Sequence, residues 1–465
     1  MTDCNSQPIV FSSLGRRKVV ADFDGGAITS DAGALLLREA DRSLGLIDRI
    51  NAAIPDPRNQ ALITHQQSTM LRQRILAIAL GYEDGNDHQH LRNDPLMQLV
   101  SGRPLDPDRP LASPPTLCRL ENRVSRQTLT GIAEALVEVF IAQHPTPPTE
   151  LILDFDATND SVHGEQVNRF FHGYYDEYCF LPLYVFCGEK LLVAYLRPAD
   201  QDPATHARAI LALLTKRLRQ AWPGVKITFR ADSGFCRWKM LRWCEGHDVK
   251  YIVGLAGNAV LKRMAEPFME QAKALVEADA NHKADVGHKT DVQPSARRVF
   301  ADLLYGAQSW DTQRRVILKA EYLPARGASA AKENHRYVVT NIEGDGQSLY
   351  EQLYCQRGES ENRIKEQQLG LFADRTSCHH FVPNQLRVLL SAAAYVLLQH
   401  IRQTALAGTE LACAQVGTIR LKLLKIGGLI KVSFRRIVLR LATGCPTQNL
   451  FRLIARRLIR LPTPT

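Results

Sequence analysis

The sequence predicts a mixed α/β protein, and three observations carry that expectation. Between residues 151 and 256, short runs rich in β-branched and aromatic residues alternate with segments of helical period. On either side of that stretch the apolar residues recur with the helical period. The 465-residue chain is 45% hydrophobic and 23% charged, the composition of a folded protein of more than one domain.

Residues 1–148 read as a helical region. In TSDAGALLLREADRSLGLIDRIN, the residues Thr29, Ser30 and Asp31 offer caps ahead of Leu35, Leu36 and Leu37. HPTPPTE, at 144–150, breaks the pattern with Pro147 and Pro148, and a boundary is expected there. Residues 149–256 then supply strands at LILDFDAT, FLPLYVFCG, KLLVAYLRP, VKITFRADSG and VKYIVGLA. Helices are expected from Pro203 to Trp222 and around Trp238 to Cys244. Residues 257–334 are polar at first (NHKADVGHKTDVQPSARR) and strand-like later, and read as a β-rich insertion. Residues 335–405 resume with the strand HRYVVTNI, the polar helix YCQRGESENRIKEQQ and a buried helix from Val388 to Ile401.

Residues 406–465 are expected to be basic and helical. From Gly417 onward there is no aspartate or glutamate, while Lys422, Lys431, Arg435, Arg436, Arg440 and Arg456 interleave with Leu and Ile. A net charge of +10 and a pI near 9.1 point to a polyanionic partner. A basic tail could also lie on anionic lipid. The longest apolar stretch, however, is interrupted by Ser391, Gln399 and His400 and is too short to cross a bilayer, so no membrane partner is expected. The ten cysteines show no C-x-x-C spacing, and MTDCNSQPIVFSSLGRRKVV has no secretory pattern. A cytoplasmic protein with reduced thiols follows as the expectation.

Strand alternation sends Leu151, Leu153 and Phe155 to one face and Asp154 and Asp156 to the other. In the same way Ile227, Phe229 and Ala231 oppose Arg230 and Asp232. Carboxylates at neighbouring strand ends raise one another's pKa unless a cation lies between them. Oxygen ligands of this kind suit Mg²⁺ or Mn²⁺, and two such ions could serve phosphodiester chemistry. Tyr354, Arg357, Glu361 and Lys365 recur at spacings of three and four along a helix with no apolar stripe. Glu361 is therefore the candidate third acid, and the flanking Tyr354, Arg357 and Lys365 are candidate phosphate contacts, as is Arg230. A solvated salt-bridge helix is the competing reading.

LDFDATND, RADSGF and YCQRGESENRIKEQQ, in that order, resemble the three acid-bearing blocks of the DDE transposases of bacterial insertion sequences. The nearest group is the cut-and-paste one with a tyrosine, arginine, glutamate and lysine signature. The resemblance spans most of residues 20–445 and implies an RNase H-like core interrupted by a β-rich insertion. It implies Asp156, Asp232 and Glu361 as the catalytic, metal-binding triad, with Asp154 as the other choice for the first acid. It also implies DNA cleavage at the element's ends and strand transfer into target DNA, with terminal inverted repeats and target DNA as partners. A homodimer in a synaptic complex and a location at the bacterial nucleoid complete the expectation. The signature lysine falls on Gln368 here, with Lys365 one turn earlier. A nuclease without strand transfer, or an inactive DNA-binding relic, are the alternatives.

Two further stretches bear on binding. LASPPTLCRLENRVS places Arg119 and Arg123 on one helix face as candidate DNA contacts, or as part of an ordinary surface helix. GYEDGNDHQHLRND gathers His88, His90, Asp84 and Asp87 without a metal-ligand spacing and is expected to be a polar loop.

Overall fold

Apolar alternation along short strands builds one eight-stranded sheet, described here from a computed structural model that covers residues 8–285, 296–325 and 330–464. Its strands are β1 (Glu150–Ala157), β2 (Leu183–Cys187), β3 (Lys190–Tyr195), β4 (Lys226–Ala231), β5 (Val249–Leu255), β6 (Arg297–Tyr305), β7 (Arg314–Leu323) and β8 (Lys332–Thr340). Their order across the sheet is β6-β7-β8-β5-β4-β1-β2-β3. β1, β4 and β5 run parallel, and the remaining neighbours pair antiparallel. The first five strands are the ones expected from the sequence, and they form the RNase H-like part of the sheet.

One face of this sheet packs Leu151, Leu153, Phe155, Ile227, Phe229 and Val253 into the main core of the unit formed by residues 136–366 and 376–388. Leu211, Leu214 and Leu218 of α1 (Ala207–Ala221) and Met240 and Leu241 of α2 (Trp238–Gly246) cover it. Phe155 and Phe229 meet edge to face at 5.1 Å, which locks β1 against β4 from the core side. Helix α1 starts at Ala207 rather than Pro203, after a turn in which Thr205 N–H donates to the Asp202 carbonyl. The insertion, read as β-rich, opens with a helix, α3 (Ala259–Asp285), before its strands begin. Its β6 and β7 do not fold apart: β7 pairs along nine residues with β8 and extends the main sheet. Part of the polar stretch expected in this insertion lies outside the described residues.

The second unit comprises residues 1–135, 367–375 and 389–465, so the segments expected to be separate amino- and carboxyl-terminal regions fold together. Three of its boundaries fall within the helices Arg126–Ala142, Gly358–Leu371 and Phe381–His400, and none at the proline-rich stretch. Asp31, expected as a cap, is buried and accepts from the Tyr82 hydroxyl at 2.6 Å while pairing with Lys425 Nζ at 2.6 Å. Gly33 lies so close to the 423–424 backbone that a Cβ there would sit 2.0 Å from the Leu423 carbonyl oxygen. The tail is helical at Val416–Ile419 and Gln448–Ile459, but Gly428–Ser433 and Arg436–Leu441 form a hairpin. Alternating Ile430, Val432 and Ile437 favour strand over the expected helix.

Candidate active site

Two parallel strands deliver two acids to the same sheet edge. β1 and β4 are in register, with Arg230 opposite Asp154 and Ala231 opposite Phe155, so Asp156 and Asp232 become neighbours at the carboxyl ends. Asp156 is 6% exposed and its Oδ1 accepts from the Ala157 backbone N–H at 2.9 Å. Asp232 is half-buried, and its Oδ1 accepts from Gly234 N–H at 2.8 Å, which caps the short turn Ser233–Phe235.

The third acid arrives on a helix that is irregular where the site needs it. Leu349–Tyr354 winds as a π segment and Cys355–Arg357 as a 3₁₀ turn, before α4 (Gly358–Leu371) becomes regular. Such π turns re-aim side chains at functional sites. Arg357 then bridges two of the acids. Its guanidinium donates to Asp156 Oδ2 at 3.1 Å and to Glu361 Oε1 at 2.8 Å. The Glu361 side chain is 50% exposed.

Burial above all, with the nearby Asp232 and Glu361 charges and against the opposing pull of Arg357, pushes the Asp156 carboxyl up to about 7. Three carboxylates therefore act on one another at this edge, and one guanidinium offsets part of their repulsion. Tyr354 is half-buried beside them. Its phenol is pushed up by burial and by the Asp232 charge, against the pull of Arg357. It lies over Gly254 of β5, where a Cβ would stand 2.6 Å from the Tyr354 oxygen, 2.9 Å from Ser233 N and 3.2 Å from the Asp232 carbonyl carbon. Only a residue without a side chain lets strand, turn and tyrosine meet there.

A family model described as the transposase DDE domain, group 1, matches residues 11–463. The chain belongs to the DDE transposases. Among solved structures, one similar chain is in the "Cryo-EM structure of piggyBac transposase synaptic complex with hairpin DNA", at 10% identity and a TM-score of 0.42, over 94% of this chain and 83% of that one. No curated protein matches the chain in sequence.

Of the expected site residues of this transposase, Asp156, Asp232, Glu361, Tyr354 and Arg357 come together. Lys365 is exposed one turn beyond Glu361 on α4. Arg230 is not at a DNA-facing surface: it is buried, with Nε and Nη2 on the two oxygens of Asp154 and Nη1 donating to the Leu353 carbonyl at 2.5 Å. The reason is the register pairing, which sets Arg230 directly against Asp154 in a dry environment. Asp154 is thereby engaged in a buried ion pair, although burial still raises its pKa. In the other unit, Arg123 is half-buried between Asp56, at 3.2 Å, and Gln67 Oε1, and so holds that unit together, while Arg119 is exposed with a bond to Thr116 at 3.1 Å. His88 is buried against Gln73 and Arg74, so the stretch around it is a packed turn and short helix rather than a polar loop.

Tyr175 was missed by the sequence reading. It lies on the turn between the short strands Phe170–His172 and Glu177–Phe180, packs against the small cluster of Cys179, Leu181 and Ala199, and its phenol is pushed up to about 12 by burial and by Asp156 and Asp232. The three tyrosines of HGYYDEY were its only signal.

Among the described residues, no three acidic, histidine or cysteine side chains are gathered closely enough to cage a metal ion. The donors nonetheless fit one in kind. They are carboxylate oxygens in mutual repulsion, and a cation, the Arg357 guanidinium, already lies between two of them.

Proposed function

We propose that the protein is a DNA transposase that cuts at the ends of its element and joins the freed end to target DNA. The observation that carries this reading is the meeting of Asp156, Asp232 and Glu361 at one sheet edge, with Arg357 between two of them. Asp156, Asp232 and Glu361 would hold Mg²⁺ or Mn²⁺, which supplies activation of the attacking oxygen and stabilisation of the leaving one. The chain's own residues then position the strand. Arg357 carries two sets of guanidinium donors, matching in shape a phosphate as well as a carboxylate, and exchanges Asp156 for a phosphate oxygen of the scissile strand. Lys365 adds an exposed cation one turn along, and Tyr354 fixes the direction of Arg357. Tyr175, whose phenol feels the charges of Asp156 and Asp232, borders the same acids.

The test is incubation of the purified protein with Mg²⁺ and labelled DNA carrying the ends that flank its own gene, alongside Glu361→Ala. Cleavage at the end boundary with joined products, both absent in the variant, is the expected result. Cleavage without joining would leave a nuclease. Intact DNA with Mg²⁺ and with Mn²⁺ would leave a DNA-binding relic.

A further inference from the structure

The hairpin Gly428–Ser433/Arg436–Leu441 is attached at its base and free at its tip. Gly428 and Leu429 pair with Thr29 and Ile28, and Gly428 and Ile430 are buried. Beyond them Lys431, Val432 and Ser433 pair with Val438, Ile437 and Arg436, and all six are exposed. Three residue pairs of ladder, about 10 Å at the usual strand rise, therefore stand clear of the unit. An uncovered two-stranded ribbon is marginal in water, and this one also exposes Val432, Ile437 and Val438.

Its chemistry is one-sided. Cross-strand register places Lys431 with Val438, Ser433 with Arg436 and Leu429 with Arg440 on one face, and Val432 with Ile437 on the other. Phe434 and Arg435 form the two-residue tip, where Phe434 is 103% exposed. Among the described residues no carboxylate pairs with Lys431, Arg435, Arg436 or Arg440, and none follows Glu410 in the sequence to do so. Other basic residues of the tail are engaged: Lys425 pairs with Asp31, Arg420 donates to the Ala79 and Gly370 carbonyls, and Arg457 to those of Ala405 and Ala407. Among the described residues, Lys431, Arg435, Arg436 and Arg440 thus set four cations without a carboxylate partner on this one ribbon, in addition to Lys422, Arg456 and Arg460 elsewhere in the tail.

We propose that this ribbon enters the major groove of duplex DNA. That groove, about 12 Å wide and about 8.5 Å deep, admits a two-stranded ribbon, and the projecting length matches its depth. Lys431, Arg436 and Arg440 meet the phosphates along the groove wall, and Phe434 at the tip lies against base edges, where a thymine methyl is its natural contact. The inference rests on the transposase reading for the presence of DNA, but it concerns binding and not cleavage.

The experiment measures binding of the full-length protein to a labelled duplex carrying its own element's ends, across a salt series and without divalent metal. In Lys431→Ala/Arg436→Ala/Arg440→Ala, the slope of log affinity against log salt falls by roughly two to three, about 0.9 for each phosphate no longer neutralised. Replacing the same positions so that each carries lysine (Arg436→Lys/Arg440→Lys) keeps the wild-type slope. Phe434→Ala keeps the slope but loses the preference for thymine over uracil in the contacted groove. Dimethyl sulfate, which reads guanine N7 in the major groove, finds protection with the wild type that the triple variant lacks. Unchanged affinity and slope in the triple variant overturn the proposal. So does a triple variant that keeps its DNA binding but no longer binds phosphatidylserine vesicles, or that sediments as a smaller species. A wild type that shows the ribbon-dependent slope but never cuts DNA removes the transposase reading and leaves the ribbon standing. One that cuts normally without its ribbon charges does the reverse.

Discussion

Asp156 carries an electrostatic load that two measurements can read. Its carboxyl is raised by burial from about 3.8 to about 7. The folded state therefore holds a proton there that the unfolded chain has already released, and stability falls as pH climbs from about 4 to about 7. Asp156→Asn removes that load. Thermal melting should place the variant above the wild type at pH 8, with the gap closing toward pH 4. Metal-dependent cleavage by the wild type should rise with pH through about 7, because a ligand carboxylate must be ionised to act. Asp154 behaves differently, since its partner Arg230 is as buried as it is. Arg230→Ala leaves an unpaired buried carboxylate, and urea denaturation should show a loss of roughly 3–5 kcal/mol. The alternation of both strands was legible in LILDFDAT and VKITFRADSG. The ion pair was not, because the alternation says which face a residue takes and only the register between distant strands says what it meets.

At the scale of elements, the approach of β5 to the turn after β4 governs the site through one residue. Gly254→Ala brings a methyl group to 2.9 Å from a backbone nitrogen and 3.2 Å from the Asp232 carbonyl carbon, neither of which is the yielding end of a side chain. The turn bearing Asp232 has to shift. A displacement of about 1 Å is worth roughly a hundredfold in rate, so cleavage by Gly254→Ala should fall by about that factor while far-UV circular dichroism and DNA affinity stay near wild type. VKYIVGLA showed a glycine in a strand, a known mark of close backbone approach, but not what approaches. The polar helix was read with too regular a path. Tyr354, Arg357 and Glu361 were placed on one α-helical face, and they converge instead through a π segment and a 3₁₀ turn. The tail erred the other way: basic residues spaced among Leu and Ile satisfied a helical reading, while the alternation around Ile430 and Val432 and the pairing to Ile28 and Thr29, some 400 positions away in sequence, favour a ribbon.

On the scale of the whole molecule, the acids of the site and the acid-free tail belong to different units. Asp156, Asp232 and Glu361 lie in the unit holding the eight-stranded sheet, while residues 389–465 belong with the amino-terminal helices. Composition reported the net charge of +10 but not this division, which arises because the two ends of the chain knit through contacts such as Asp31 with Lys425 and Arg42 with the Leu458 carbonyl. The division makes cutting and holding separable. Asp232→Asn removes one negative charge from a half-buried position in the first unit and leaves every cation of the ribbon in place. Its affinity for the duplex should equal or slightly exceed the wild type's, with the same salt slope, because the number of phosphates neutralised is unchanged. Its cleavage should fall to background. Filter binding across a salt series and a cleavage assay on the same preparation check both halves. A lower salt slope in Asp232→Asn would mean that the acid edge helps organise the DNA-binding surface, and that the two properties are one.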